Sequence, residues 1–304
     1  MSGWSSLSLA CPRCAGSLRC EATGAVCRAC AAGYAIEGGV LDLRLGRRGA
    51  AGFRPEYFES LERFERRHFW FAARRRTVLE ALRRSVPDLA TRRLVDIGCG
   101  GGNLTRFLSD HGVALAAGCD AYPEALAFAH RRLEVPLVLL DEGRLPPLGP
   151  GQELIGMFDV LEHIDDDVAT LRHLALQLAP GGILALTVPA HPFLFDEMDE
   201  LACHRRRYDA KSLRAKLTAA GFRIRLLSHF MSPLVPLLVA SRTAGRLVAH
   251  WRSPLQRRSV ELRPLPVING LLALLMSVER AALGRVALPM GSSLIAIAER
   301  RGRE

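Results

Sequence analysis

The chain has 304 residues, 49% of them hydrophobic, enough for one large domain plus a small one and too apolar for default disorder. Formal net charge is +10, yet Lys211 and Lys216 are the only lysines among the 41 basic residues. An arginine skew with abundant Ala, Gly and Leu is what a GC-rich genome produces, so the charge alone does not call for a polyanionic partner.

No basic n-region opens the chain, and no uncharged apolar run reaches the roughly 18–20 residues that span a bilayer. The sequence reads as cytoplasmic, with reduced thiols. Five of the eight cysteines fall in the first 30 residues. Cys11-x2-Cys14 and Cys27-x2-Cys30 have the spacing of two knuckles of a four-thiolate tetrahedral zinc site. Pro12, Gly24 and Gly33 suit the turns around them. A module over residues 1–45 is too small to bury enough apolar surface alone, and a structural metal compensates. The alternative, free or disulfide-bonded thiols, fits paired C-x-x-C spacing in a reducing compartment less well. Cys20, Cys99, Cys119 and Cys203 lie outside the pattern.

Residues 46–90 read as two entry helices placed to cap a ligand site. Tyr57, Leu61 and Phe64 share a helical face over 56–67, where Glu59–Arg63 and Glu62–Arg66 are i,i+4 pairs. His68-Phe69-Trp70-Phe71 follows, either a pocket cap or a packed corner. The next helix carries Val78, Leu79, Leu82 and Val86 on one stripe and ends before Pro87. Arg74–Arg76 at its start read as mostly solvated, with room for one of them to face a ligand carboxylate.

From residue 91 to 304 short apolar strands alternate with amphipathic helices, the pattern of a parallel sheet covered on both faces. The predicted strands are 93–97, 114–120, 136–141, 153–160 and 183–189, with helices over 103–111, 123–133 and 166–178. Ligands of such sheets bind at the carboxyl ends of the strands, where Asp120, Asp141 and Asp159 fall. Gly98, Gly100 and Gly102 make a G-x-G-x-G loop after the first strand, with Asp96 inside the strand and Asn103 where a dinucleotide loop has its third glycine. Asp120 suits a pair of ribose hydroxyls, or else a helix N-cap before Tyr122-Pro123-Glu124. Asp165–Asp167 read as a helix N-cap rather than a metal site. Two further strands, 222–230 and 292–299, are separated by some 60 residues in place of a short hairpin. This helical insertion, about 231–290, carries amphipathic runs at 237–251 and 267–283. Residues 231–291 hold eight arginines (242, 246, 252, 257, 258, 263, 280, 285) against Glu261 and Glu279. A basic apolar segment suits an apolar acceptor or anionic lipid, and equally a helical cap on the core.

Asp96-Ile-Gly-Cys-Gly-Gly-Gly102, Gly118-Cys-Asp120, Leu140–Pro146, Phe158-Asp-Val-Leu-Glu-His163, Leu178-Ala-Pro-Gly-Gly182 and Ala220-Gly-Phe222 together resemble class I S-adenosylmethionine-dependent methyltransferases of the Methyltransf_11/23 type over residues 54–230 and 289–300. His68-Phe-Trp-Phe, Val188-Pro-Ala and His204-Arg-Arg-Arg-Tyr208 resemble one bacterial subgroup. Residues 9–45 resemble the zinc ribbons of the Trm112-like family, with Tyr-Ala-Ile where Tyr-Pro-Ile is usual.

The resemblance implies a Rossmann-like seven-stranded methyltransferase sheet with helices on both faces, plus the small ribbon and the insertion. It implies that Asp96 orders the loop and that the backbone of Gly98, Cys99, Gly100 and Gly102 meets the methionine part of S-adenosylmethionine. Asp120 would hold the ribose, Asp141 and Glu142 the adenine, and Asp159 to His163 would lie beside the transferred methyl. Methyl transfer from a sulfonium needs alignment above all and a base only optionally; His163, His204 and Tyr208 are the candidates, with His191 a further histidine in reach. The expected acceptor is apolar, lipid-like or a secondary-metabolite small molecule, with peripheral membrane contact through the insertion. An RNA acceptor is the enzymatic alternative. Asp159-Val-Leu-Glu, without the Asn/Asp-Pro-Pro-aromatic loop that holds a flipped base amine, and the absence of a Pro-Cys nucleophile argue against it. A non-catalytic assembly partner is a further alternative, against which stand the intact loop and acidic strand ends.

Overall fold

The computed structural model describes residues 3–46, 55–65, 68–142, 147–247, 266–283 and 288–302. The Leu140–Pro146 motif therefore lies partly outside the described residues, as do Arg66 and Arg252, Arg257, Arg258, Arg263 and Arg285 of the insertion.

The central strands are β5 (Arg93–Ile97), β6 (Ala114–Asp120), β7 (Leu137–Leu139), β8 (Gln152–Phe158) and β9 (Leu178–Pro189), followed by β10 (Phe222–Phe230) and β11 (Ser293–Arg300). Four strands come from the N-terminal module: β1 (Leu18–Cys20), β2 (Gly24–Cys27), β3 (Gly33–Glu37) and β4 (Val40–Asp42). All eleven form one sheet in the order β1-β2-β3-β4-β7-β6-β5-β8-β9-β11-β10. β5 to β9 run parallel, and β11 is antiparallel to both β9 and β10. The order reverses between β5 and β8, which puts a ligand crevice at their carboxyl ends.

Alternate residues of β5 serve opposite faces, as the pleat requires. Val95 and Ile97 pack with Leu171 and Leu174 of α5 (Asp167–Gln177) and Leu213 and Leu217 of α7 (Ala210–Ala219). Leu94 faces the other side, with Val78 and Leu82 of α2 (Phe69–Ser85) and Leu108 of α3 (Asn103–Asp110). The third strand begins after Pro136, which has no N–H for the ladder. β9 starts earlier than its apolar run, because Leu178 already pairs with Gln152.

The ribbon is built into this sheet. β4 runs parallel to β7, with Val40, Leu41 and Asp42 opposite Leu137, Val138 and Leu139. The pairing continues as Leu43 N–H donates to Leu139 O (3.0 Å) and Leu45 N–H to Asp141 Oδ2 (2.9 Å). Trp4, Leu7, Leu9, Leu41 and Leu43 belong to the same core as Val95 and Ile97, so residue 45 marks no break in packing.

Between β10 and β11 lie α8 (Leu234–Leu247) and α9 (Pro266–Ala282). α9 lies along α2, burying Leu272 and Met276 in the Val78–Leu82 cluster. Its Glu279 carboxylate accepts the N–H groups of Met231 and Ser232. The face away from α2 is apolar and open: Leu271, Leu274 and Val278 are 57%, 61% and 66% exposed. No described helix is long and apolar enough to cross a membrane.

Candidate functional site

The loop after β5 bends because three glycines take left-handed backbone, with φ of 72° at Gly98, 55° at Gly100 and 76° at Gly102. Two of them are also closed to a side chain. A Cβ on Gly98 would stand 2.3 Å from Val160 Cγ2, and one on Gly102 3.0 Å from Leu133 Cδ1. Gly100 differs: nothing lies within 4 Å of its missing Cβ, so its backbone faces open space. Gly98 and Cys99 N–H both donate to Cys119 O, which anchors the loop to the end of β6.

Asp96 beneath the loop is 2% exposed and accepts from Thr105 Oγ1. Burial pushes its carboxyl up to about 7 despite that bond, and its Oδ1 accepts nothing among the described residues. Asp120 accepts Gly100 N–H (2.8 Å) on one oxygen and Tyr122 N–H (3.0 Å) on the other. It thus supports the loop and the start of α4 (Pro123–His130) together, and each oxygen keeps a lone pair for a hydroxyl. Asp141 receives the Leu45 N–H of the ribbon, and Glu142 the Tyr122 hydroxyl (2.8 Å). Helix α1 (Pro55–Glu65) closes over this side: Phe58 packs on Tyr122, and Glu62 pairs with Arg132, which itself donates to Gly101 O.

On the other flank Asp159 takes φ +58°, left-handed backbone that costs a non-glycine residue about 1–2 kcal/mol. It is over-determined there. Its N–H donates to Thr187 O, Thr187 Oγ1 donates to Oδ1 (3.0 Å), and Arg74 pairs with Oδ2 (2.5 Å) while donating to Phe158 O. Arg74 is therefore no solvated arginine; its side chain is 13% exposed.

His163 and His204 come together, their rings in edge contact with centroids 5.0 Å apart. Burial and the neighbouring His204 draw His163 down to about 4. His204 Nδ1 meets Asp199 Oδ1 at 2.8 Å. Burial alone would raise Asp199, but the bonds from His204 and Arg207 pull it down to about 2. Glu162 is fully buried beside them, 3.9 Å from His204 Nε2.

Tyr208 corrects the sequence expectation. It is 1% exposed, and its hydroxyl donates to Asp167 Oδ2 (2.8 Å) inside an ion-paired cluster with Lys216 and Arg206. A phenol so buried and so engaged holds α5 to α7; burial and Asp167 push its ionisation up, away from any role as a base. His191 likewise stacks on His229 rather than joining His163. Sequence reasoning missed Glu162 and Asp199 as separate functional candidates. Asp199 did carry a local signal, the Asp196-x-x-Asp199 capping box of α6 (Glu197–Leu201).

At the far edge of the sheet the Sγ atoms of Cys11, Cys14, Cys27 and Cys30 lie within 4.8 Å of one another. Cys11–Cys30 and Cys14–Cys27 are 3.7 and 3.5 Å apart, close to the about 3.8 Å that tetrahedral Zn–S bonds impose. Arg13 N–H points at Cys11 Sγ, and Ala29 and Cys30 N–H at Cys27 Sγ, as a thiolate cluster requires. Gly16 must stay a glycine, since a Cβ there would sit 2.7 Å from Ala29 Cβ.

A family model described as "Methyltransferase domain" matches residues 65–227. A trans-aconitate 2-methyltransferase of Methylobacterium nodulans is 38% identical over 107 residues, which is 34% of this chain and 41% of that relative. A ubiquinone biosynthesis O-methyltransferase of Ralstonia nicotianae is 27% identical over 187 residues, 60% of this chain and 71% of that one. The chain spans about half the length, or less, of the trans-aconitate methyltransferases it matches. Among solved structures, the complex between the Haloferax volcanii Trm112 methyltransferase activator and its methyltransferase has a chain that superposes with TM-score 0.51 at 14% identity, covering 82% of this chain and 96% of that chain. That likeness concerns the fold alone.

Proposed function

The chain belongs to the methyltransferase-domain family, and we propose that it transfers the methyl group of S-adenosylmethionine to an apolar, lipid-like or secondary-metabolite small molecule. The observation that carries this reading is the Asp96–Gly102 loop. Gly100 faces open space at its Cβ position, and Asp120 holds its N–H. The cofactor's methionine part lies along Gly98, Cys99, Gly100 and Gly102, its ribose at Asp120 and its adenine by Asp141 and Glu142. Asp159 borders the methyl.

The sulfonium is its own activated leaving group, so the protein's main task is alignment, an effect of about 7–11 kcal/mol in well-oriented systems. His163, just past the end of β8, and His204, after α6, face the acceptor together. The relatives are named for trans-aconitate and for ubiquinone biosynthesis, which supports a small-molecule acceptor over nucleic acid. The open apolar face of α8 and α9, including Leu237, Leu274 and Val278, supports a lipid-like acceptor reached at a membrane surface. The four-cysteine cluster holds a structural zinc ion, and the ribbon acts as a scaffold for the adenine side.

Calorimetry with S-adenosylmethionine, followed by a methyl-transfer screen on lipid, small-molecule and RNA pools, tests this reading. Deleting the insertion is a poor test, because α9 supplies Leu272 and Met276 to the core. Leu274→Gln with Val278→Gln is cleaner. It should reduce methylation of vesicle-borne acceptors while leaving cofactor binding intact; an unchanged rate on vesicles removes the membrane part of the proposal.

A further inference from the structure

Glu162 is the least compensated carboxyl of the site. It is fully buried, and neither oxygen accepts a hydrogen bond among the described residues. Such a group is costly unless an unseen partner meets it. Two described cations near it are paired with other carboxylates. Arg74 pairs with Asp159, and Arg207 Nε meets both oxygens of Asp199 at 2.8 and 2.9 Å.

The two neighbouring imidazoles have their tautomers set from behind. His204 Nδ1 faces the arginine-paired carboxylate of Asp199 at 2.8 Å, so in the neutral ring that ligates a metal Nδ1 carries the hydrogen and Nε2 the lone pair. That Nε2 is 3.9 Å from Glu162 Oε1. His163 Nδ1 lies 3.1 Å from the carbonyl oxygen of Cys203, which only accepts, so this ring also presents its lone pair through Nε2. One ligand atom from each of Glu162, His163 and His204 lies within 4.8 Å of the others. Metal-ligating histidines donate their second ring N–H to a carboxylate or a backbone carbonyl, and here one does each.

We propose that Glu162, His163 and His204 form a second metal site, distinct from the cysteine cluster, for a divalent first-row transition-metal ion at the carboxyl end of β8. Bonds of about 2.0–2.2 Å place ligand atoms about 3.3–3.6 Å apart, so His204 Nε2 and Glu162 Oε1 close in from 3.9 Å and the set from within 4.8 Å. Two imidazoles and one carboxylate leave coordination positions open, and an oxygen ligand such as a carboxylate or hydroxyl of the acceptor fills one. Glu162 then gains a direct partner that the described residues do not give it, and Asp199 is a positioning residue that orients His204.

The site is read by metal binding, so its test is separate from that of methyl transfer. Full-length protein is stripped with chelator, loaded with one equivalent of Zn2+ at the cysteine cluster, and titrated with Co2+ by calorimetry and optical absorption. One further equivalent of Co2+ should bind, with d–d bands but no sulfur-to-metal charge transfer. Glu162→Gln and His204→Asn should each weaken that binding at least about tenfold, and Asp199→Asn by about 10–100-fold, with the zinc content of the cluster unchanged. No second equivalent on the unmutated protein at millimolar Co2+, or binding that all three variants retain at full strength, overturns the proposal.

Discussion

The two flanks of the glycine loop are built on opposite plans. On the β6–β7 side every candidate carboxylate already has a donor: Asp120 has Gly100 and Tyr122, Asp141 has Leu45, and Glu142 has the Tyr122 hydroxyl. On the β8 side Asp159 sits on left-handed backbone and Glu162 is buried with neither oxygen bonded among the described residues. The first flank is finished by the chain itself and keeps lone pairs for a ligand. The second braces Asp159 with Thr187 and Arg74 but leaves Glu162 with no donor among the described residues, open to a ligand or ion. A cofactor common to many acceptors needs the first plan, and chemistry particular to one acceptor suits the second.

The largest expected effect comes from removing the zinc proposed for the cysteine cluster. Structural zinc contributes about 10–16 kcal/mol in ribbon-sized peptides, and β4 is the edge that completes β7. Chelation should melt β1 to β4 and, through Leu45 and Asp141, weaken cofactor binding. Hydrogen exchange that loosens in the ribbon but not in β7 would detach the ribbon from the finished flank. Next is Gly98→Ala, where the Cβ meets Val160 on left-handed backbone. The strain and overpacking together cost about 2–5 kcal/mol, and cofactor binding should be lost.

Asp96 gives a pH test of the same flank. Its folded value of about 7 lies above the ordinary carboxyl range because of burial. Below pH 4 both the folded and unfolded states hold the proton, and Asp96 does not affect stability. From pH 4 to 7 the unfolded chain ionises first, so stability falls as pH rises, by as much as about 4 kcal/mol. Asp96→Asn should flatten that slope in thermal melts from pH 4 to 8; equal slopes would show the carboxyl is better solvated than its burial implies. The smallest effect is Gly100→Ala. With open space at its Cβ it carries only the φ strain of about 1–2 kcal/mol in the free protein. Its cofactor affinity should fall by more than its melting temperature suggests, since the added methyl enters ligand space.

Much of the fold was legible. The seven strand positions of the domain came from apolar runs bounded by Gly, Pro and Asp, and the cysteine spacing announced the cluster. The loop was legible too, because Gly98, Gly100 and Gly102 are needed for their own backbone angles. The parallel pairing of Val40 with Leu137 left no trace, since nothing local records which distant strand an edge will join. Arg74 read as solvated because its partner Asp159 is 85 residues away and no helical spacing reveals it. Tyr208 misled for the opposite reason: a polar ring beside three arginines reads as a surface or site residue, yet Asp167 supplies the buried acceptor that lets it serve as core.

The central claim is that the loop from Asp96 to Gly102 holds S-adenosylmethionine. Isothermal calorimetry on zinc-loaded protein tests it most directly. Saturable one-to-one binding is expected, which Gly98→Ala abolishes and which Asp120→Asn, turning an acceptor toward the ribose into a donor, weakens about tenfold or more. Zinc-loaded, folded protein that gives no heat and no saturation with S-adenosylmethionine would contradict it.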